Sequence, residues 1–196
     1  MKLYDELPNS VTLDGRRFKL DLDFRNVLRM METMSRNDLL PESRAYLSVK
    51  CVCKRPKNAT ALLYAIQEML FPESKFDEEY HEKITDFVHD AALIRAAFRQ
   101  AYRIDLYRDR LHWIEFSELL NAIPEGNRYS EVVGIRARPI PAPTKWNQQE
   151  REWLMKAKMD VALPVSEDER MRKYHADVGK IFAGLIGMIE RGKNGE

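Results

Sequence analysis

The residues with the clearest potential for chemistry lie in one segment, residues 81–109, which reads HEKITDFVHDAALIRAAFRQAYRIDLYRD. It contains His81, the adjacent pair His89 and Asp90, and Asp109. Imidazole and carboxylate groups are common metal ligands. Metal-dependent phosphohydrolases hold their ions with a histidine, a His-Asp pair and a distal aspartate. A metal site is therefore the first hypothesis that this segment raises.

The geometry of a helix argues against this metal site. Apolar residues recur in the segment at the spacing of one helical face: Phe87, Ala91, Ile94, Phe98 and Ala101. If His81 and His89 both belong to that helix, about 12 Å separates them along its axis. Two imidazoles so far apart cannot share one ion at bond lengths of about 2 Å. We therefore expect these polar side chains to be exposed or to cap the helix.

Other catalytic and metal-binding patterns are incomplete. His112 and Glu115 would share a helix face, but the order is the reverse of the Glu-x-x-His motif of di-iron bundles, and the second motif is missing. Cys51 and Cys53 form a C-x-C pair without further ligands, which predicts small buried apolar residues. The chain has no G-x-S-x-G, no glycine-rich phosphate loop and only eight glycines. We predict a protein that is not an enzyme and that binds no cofactor or metal.

The charge balance disfavours two classes of partner. The chain carries 32 basic and 31 acidic side chains, a net charge of +1, which provides no long-range attraction for nucleic acid or an anionic membrane. The longest apolar run near the C-terminus, IFAGLIGMI, is too short for a bilayer of about 30 Å. The stretch MKLYDELPNS lacks the apolar core of a secretory signal. We therefore expect a cytoplasmic protein without a membrane partner.

Local patterns predict a mainly α fold, a compact helical domain with an N-terminal β-hairpin and a C-terminal helical extension. In SVTLDGRRFKLDL the apolar residues alternate around Asp14 and Gly15, a pair typical of a hairpin turn. Asp23 has the position of an N-cap for the first helix. Pro41 should open the next helix, which extends to Val52, although residues 47–53 also alternate as a strand would.

Six further segments complete this interpretation. ATALLYAIQEML and RLHWIEFSELLNAI have helical patterns, YSEVVGIRA is ambiguous, and RPIPAPTKW favours extended polyproline geometry. A helix is expected from about Asn147 to Leu163, with Trp153, Leu154 and Ala157 facing inward. A last helix should begin at Ser166, with acidic residues in its first turn and basic residues in its last.

A row of arginines is one candidate for partner binding. Arg95, Arg99 and Arg103 are spaced by four residues, so they would line one side of the central helix. Such a strip could contact a phosphate backbone or an acidic partner helix. The alternative is that these are surface arginines paired with carboxylates, and the near-zero net charge favours it.

Several blocks in the same order resemble the bacteriophage gene-product-15 family of tailed phages and prophages of Gram-positive bacteria. LPNSVTLDGRRFKLDLDFRNVLRMMET resembles its opening hairpin and first helix, and DFVHDAALIRAAFRQAYRIDL resembles its most recognisable block. LHWIEFSELLNAIPEGNRYSEVVGIRAR and KMDVALPV are similar to the blocks that follow. Ile114 replaces a common tryptophan, and Ile135 replaces a usual tyrosine. The resemblance predicts a family domain over residues 1–165 and an extension over residues 166–196.

The resemblance also implies a function. Genes of this family usually lie in the tail module, close upstream of the tape-measure gene, which is the position of tail assembly chaperones. The expected partners are the tape-measure protein and other tail proteins in the host cytoplasm, and homo-oligomer formation stays open. The alternatives are a structural or tail-completion component of the virion and, third, a nucleic-acid-binding protein that uses the arginine row.

Methionines are the second candidate for partner binding, because flexible thioether side chains adapt to varied apolar clients. The chain has nine of them, and Met30, Met31 and Met34 lie within one and a half helical turns. Met30 and Met34 could line a groove for the client. The alternative is that these methionines fill the core, which we favour for Met31.

Overall fold

The computed structural model describes residues 4–71 and 83–164. These residues fall into two compact units, one of residues 4–71 with 90–131 and one of residues 83–89 with 132–164. In chain order the elements are β1 (Ser10–Leu13), β2 (Arg16–Lys19), α1 (Phe24–Met34), α2 (Pro41–Val52), α3 (Ala59–Leu70), α4 (Ala91–Tyr102), α5 (Trp113–Asn121), α6 (Arg128–Ala137) and α7 (Gln148–Asp160). This confirms the predicted helical fold with an N-terminal hairpin.

The hairpin forms as the alternation predicts. β1 and β2 pair antiparallel with Leu13 opposite Arg16 and Val11 opposite Phe18. The turn residues Asp14 and Gly15 have φ values of 50° and 72°. A two-residue loop with positive φ at both positions matches the right-handed twist of the paired strands, and aspartate and glycine adopt that conformation readily.

A short bridge ties the chain after the hairpin to the start of α5. The N–H of Phe24 donates to the carbonyl oxygen of Leu111 at 3.0 Å, and the N–H of Trp113 donates to that of Leu22 at 2.8 Å. Asp23 therefore lies opposite His112 in an isolated antiparallel bridge. The first turns of α1 and α5 are thereby held side by side.

Aromatic rings form the centre of the first unit, around Phe116 of α5. The ring of Phe116 stacks on Phe24 of α1 at a centroid distance of 4.6 Å and on Phe98 of α4 at 5.2 Å. Trp113 lies beside the same ring at 5.8 Å. Stacked rings at these distances stabilise a core beyond the effect of burial alone. Three helices distant in sequence therefore meet at one side chain.

α2 and α3 complete this unit: α2 packs on α1, and α3 packs on α2 and on β1. Pro41 occupies the first turn of α2, where its missing N–H removes no helical hydrogen bond. Residues 47–52 lie within this helix, so the strand alternative is wrong. Cys53 ends it and is buried, and Cys51 is partly buried, which agrees with the prediction of small apolar residues.

α4 is shorter than its apolar pattern suggests. It begins at Ala91, so Phe87 lies in the turn before it. In that preceding turn the carboxylate of Asp86 accepts the N–H groups of Val88 and His89, each at 2.7 Å. A side chain that binds two successive backbone N–H groups favours a turn over a continuing helix.

The second unit contains α7, on which Leu154 is fully buried. The buried guanidinium of Arg136 donates to the carbonyl oxygens of Val161 at 2.6 Å and Ile84 at 3.1 Å, and this joins three segments of the unit. The prediction that Trp153 faces inward is wrong, because its side chain is 57% exposed. The rest of α7 is mostly polar. Leu154 and its partly buried neighbours attach the helix to the unit.

The remaining predictions have different outcomes. The ambiguous YSEVVGIRA forms most of α6, whereas the proline-rich segment after it has neither helix nor strand, as expected. The helix predicted from Ser166 and the extension over residues 166–196 lie outside the described residues, and the boundary at residue 165 stays a prediction. Within the described ranges no helix combines the length and apolar character needed to cross a bilayer.

Candidate functional site

The histidines and aspartates of residues 81–109 are dispersed over separate structural roles. His89 is exposed ahead of α4, Asp90 is buried at the N-cap position of that helix, and His81 lies outside the described residues. The carboxylate of Asp109 accepts the N–H of Asp105 at 2.7 Å. The premise that His89 belongs to the helix is wrong, since α4 begins at Ala91. Across residues 4–71 and 83–164, no three His, Cys, Asp or Glu side chains are grouped to hold a metal ion.

His112 is a helix cap. Its Nδ1 accepts the N–H of Ile114 at 3.2 Å, so this nitrogen carries no proton in that bond. Its Nε2 lies 2.9 Å from the carbonyl oxygen of Pro8, which can only accept, so Nε2 donates. Both ring nitrogens are therefore used by backbone groups, which leaves the side chain no free nitrogen for a metal ion.

Asp23 forms the centre of an ionic network beside this cap. Its carboxylate accepts the N–H of Arg25 at 3.1 Å and binds the guanidinium groups of Arg25 and Arg110, each at 3.1 Å. Arg110 also binds Asp21 at 2.8 Å, and these aspartates raise the pKa of its guanidinium. The carboxylate of Asp23 is almost fully buried, so its partners offset the loss of hydration. In this arrangement the charged groups of Asp21, Asp23, Arg25 and Arg110 bind one another and stabilise the fold.

The arginine row is only partly available for partner binding. The guanidinium of Arg99 binds Asp105 at 2.9 Å, and that of Arg95 lies over the ring of Tyr107 at 4.8 Å. The N–H of Tyr107 and the guanidinium of Arg99 lower the pKa of Asp105, so that carboxylate stays ionised. Arg103 follows the last residue of α4 with φ of 59°, so it leaves the helical line.

The two predicted methionines differ in burial. Met30 is fully buried in α1, whereas Met34 in the last turn is partly buried. A partner cannot reach the side chain of Met30 in this conformation. The structure thus does not bring the two methionines together as one exposed groove.

Four exposed large apolar side chains of the second unit lie on or beside α7, and the sequence interpretation did not single them out. They are Trp146, Trp153, Met155 and Met159, with exposed fractions of 94%, 57%, 38% and 78%. Met155 and Met159 are four residues apart and therefore share one side of the helix. The available signal was two methionines at helical spacing on an otherwise charged segment. Trp153 is two residues from Met155 and therefore lies on a different side of the helix. We call Met155 and Met159 the α7 apolar surface.

A smaller apolar surface lies on α2 in the first unit. Tyr46 and Leu47 are exposed, and with Glu42 and Ser43 they line an open depression of about 390 Å³. Leu40, just before the helix, is also exposed. A few exposed apolar side chains are ordinary on protein surfaces.

The comparisons with known proteins give one match. The family model described as Bacteriophage Gp15 protein matches residues 3–163. Searches of curated proteins and of solved structures found no match. The family match covers most of the chain and includes every described helix and strand.

Proposed function

We propose that this chain, which belongs to the bacteriophage Gp15 protein family, is a non-enzymatic tail assembly chaperone. In this proposal it binds the tape-measure protein in the host cytoplasm and keeps that protein in solution during tail assembly. Membership in the family indicates a phage structural or head–tail-related protein. The tail-module position that the resemblance implies supports the more specific function.

The structural observation that supports the proposal is the α7 apolar surface. Monomeric proteins expose single apolar side chains routinely, but clustered ones are typical of binding surfaces. Here Met155 and Met159 are exposed on one side of α7, and Trp146 and Trp153 are exposed nearby in the sequence. Tryptophan supplies a large contact area, and methionine adapts its shape to different neighbours.

These features suit a client made of long helices. An amphipathic client helix presents apolar side chains at intervals of three and four residues, which a complementary helix face can cover. Met155 and Met159 have the same spacing on α7. Exposed charged residues such as Glu152 and Lys156 lie among them and keep the free chain hydrated. Binding of a mobile apolar client therefore requires no rearrangement of the core.

The direct test is co-expression of the full chain with the tape-measure protein of the same genome. Affinity capture followed by size-exclusion chromatography with light scattering would measure whether a soluble complex forms and its stoichiometry. We expect the client to be soluble only in the presence of this chain. A client that stays insoluble while the chain elutes alone would contradict the chaperone function.

A charge-matched pair of variants tests the surface itself. Met155→Glu with Met159→Glu adds two negative charges to the α7 apolar surface, at positions where the side chains are already exposed. Ala96→Glu with Gln100→Glu adds the same charge at two exposed positions of α4, which are also four residues apart and lie outside this surface. We expect the first variant to lose client solubilisation and the second to retain it, with equal far-UV helicity. Equal solubilisation by both variants would exclude this surface.

A separate experiment distinguishes the virion-component alternative. An assembly chaperone is absent from finished particles, whereas a structural or tail-completion component is retained in fixed copy number. Mass spectrometry of purified virions measures this directly. Stoichiometric amounts of the chain in particles would overturn the chaperone proposal in favour of that alternative.

A further inference from the structure

A groove of about 630 Å³ runs along the open edge of β2 in the first unit. Its walls are the consecutive residues 16–21, the residues 52–55 after and at the end of α2, and Arg110. Side chains alternate between the two faces of a strand. A cavity that contacts every successive residue of β2 must therefore lie beside the edge of the strand and not on one face.

The hydrogen bonds of the hairpin show which backbone groups point into this groove. The N–H of Leu20 donates to the carbonyl oxygen of Asn9 at 2.8 Å, so Leu20 is directed toward β1. Because this direction alternates along an antiparallel pair, Phe18 and Arg16 also face β1, whereas Arg17 and Lys19 face away from it. Within the described residues, the outward N–H and C=O groups of Arg17 and Lys19 have no backbone partner.

The edge of β2 is already hydrogen-bonded to another segment at one end. The N–H of Asp21, the next residue with outward direction, donates to the carbonyl oxygen of Val52 at 2.8 Å. The final turn of α2 thus closes the edge there and leaves it open over Arg17 and Lys19. An added strand of about four residues would fit this opening.

The rim of the groove carries a concentration of positive charge that the net charge of the chain conceals. Five of its side chains are exposed cations, and none of them forms an ion pair within the described residues: Arg16, Arg17, Lys19, Lys54 and Arg55. The sixth cation, Arg110, is bound by Asp21 and Asp23. The groove therefore attracts anionic groups, in contrast to Arg99 in the arginine row.

The groove also has an apolar floor. Phe18, Leu20, Val52 and Cys53 line it and are buried in the fold. A phosphate backbone would place charge over such a floor and would leave the outward peptide groups of β2 without matched partners. An extended peptide satisfies those groups with its own backbone and places alternate side chains on the cationic rim and over the apolar floor.

We propose that this groove binds an extended acidic segment of a partner protein, which adds as a strand to the free edge of β2. The recognised segment has acidic residues alternating with small apolar ones. Backbone hydrogen bonds to Arg17 and Lys19 supply the register, and the five cations select for negative charge. The proposal does not depend on the tape-measure chaperone function, since it concerns a different surface in the other unit.

The test uses the full chain and a fluorescent hexapeptide of alternating aspartate and valine. Fluorescence anisotropy in low-salt buffer measures its dissociation constant. Two further peptides carry backbone N-methyl groups, one on every aspartate and one on every valine, which removes alternate N–H donors without changing the charge. Strand addition predicts that one of the two methylated peptides loses at least about tenfold in affinity, because only one set of N–H groups faces β2.

Matched variants test the charge. Lys54→Gln with Arg55→Gln should weaken binding of the parent peptide by about tenfold at low salt. Lys145→Gln with Lys156→Gln removes two exposed lysines outside the groove and should change the affinity by less than about twofold. Far-UV circular dichroism and thermal unfolding verify that both variants are folded.

Three results would overturn the proposal. Full affinity of both methylated peptides would show that attraction by charge alone holds them and that no strand is added. Tighter binding of an oligothymidine than of the peptide, with the same loss in the Lys54 and Arg55 variant, would assign the groove to nucleic acid. Absence of peptide binding at low salt would exclude a peptide site at this edge.

Discussion

Asp23 and His112 lie opposite each other in an antiparallel bridge, and each caps the helix that follows it. The carboxylate of Asp23 accepts the N–H of Arg25, and Nδ1 of His112 accepts the N–H of Ile114. The two helix N-termini therefore share one local structure, although 89 positions separate their caps. Its loss would disturb α1 and α5 together, and with them the stacked rings of the core.

Replacement of Asp23 tests how much this bridge and its caps contribute to the free energy of unfolding. Asp23→Ala removes the cap and both guanidinium contacts of a buried carboxylate, so we expect a loss of about 2–3 kcal/mol in the free energy of unfolding. Asp23→Asn keeps one oxygen for the cap and loses the charge and the oxygen that accepts from Arg110, so its cost should be smaller. Urea denaturation followed by circular dichroism measures both. A cost below about 0.5 kcal/mol for the alanine variant would contradict a structural role for this residue.

The parts of the fold that were predictable have local causes. The Asp14-Gly15 turn, the Asp23 cap and the Pro41 start each follow from the conformational preference of one or two residues. The sequence pattern places the start of α4 too early, because the apolar periodicity extends back to Phe87. The hydrogen bonds that Asp86 accepts from Val88 and His89 favour a turn in that segment.

Met30 and Met34 should respond differently to truncation. Met30→Ala leaves a cavity in a fully buried position and should cost about 2–5 kcal/mol, whereas Met34→Ala should cost less than about 1 kcal/mol. Urea denaturation of the two variants provides the comparison. A small cost for Met30 would indicate that α1 moves readily from its neighbours, in which case a groove at this helix would become accessible.

The candidate surfaces were less predictable than the fold, since accessibility is a tertiary property. A methionine pattern on α1 and one on α7 have similar spacing, yet Met30 is covered by neighbouring helices and Met159 is not. The groove beside β2 joins residues 16–21 to residues 52–55 and Arg110, which no sequence spacing relates. The arginine row was visible in the sequence, but the ion pair of Arg99 with Asp105 was not.

Low pH should remove the stabilisation that the ionised carboxylate of Asp86 provides. Burial of this carboxyl acts to raise its pKa, but hydrogen bonds from Lys83 and from the N–H groups of Val88 and His89 outweigh that effect and lower the pKa to about 2. A pKa lowered in the folded state gives stability that is present above the unfolded value of about 3.9 and is lost as the pH falls through about 2.

Asp86→Asn removes the charge and the oxygen that binds Lys83, while the amide oxygen can still accept the two N–H groups. We expect the variant to be less stable than the natural chain at pH 6, and the difference to shrink as the pH falls from about 4 to about 2. Urea denaturation of both chains at a series of pH values measures the difference. A difference that is constant with pH would show that the charge of Asp86 contributes nothing to stability.

Ser48 is expected to be a position at which a substitution stabilises the protein. Its side chain is fully buried in α2, and its Oγ has no hydrogen-bond partner within the described residues. Burial of an unpaired hydroxyl is unfavourable, and alanine is the better helix former. We therefore expect Ser48→Ala to raise the free energy of unfolding by about 1 kcal/mol.

Ser43→Ala is the matched control, because Ser43 belongs to the same helix and is exposed. Its effect reports helix preference alone and should stay within about 0.5 kcal/mol. The excess of the Ser48 effect over this control measures the buried hydroxyl itself. A Ser48→Ala variant that is less stable than the natural chain would show that the hydroxyl is hydrogen-bonded in solution, by a bound water between α2 and its neighbouring helices.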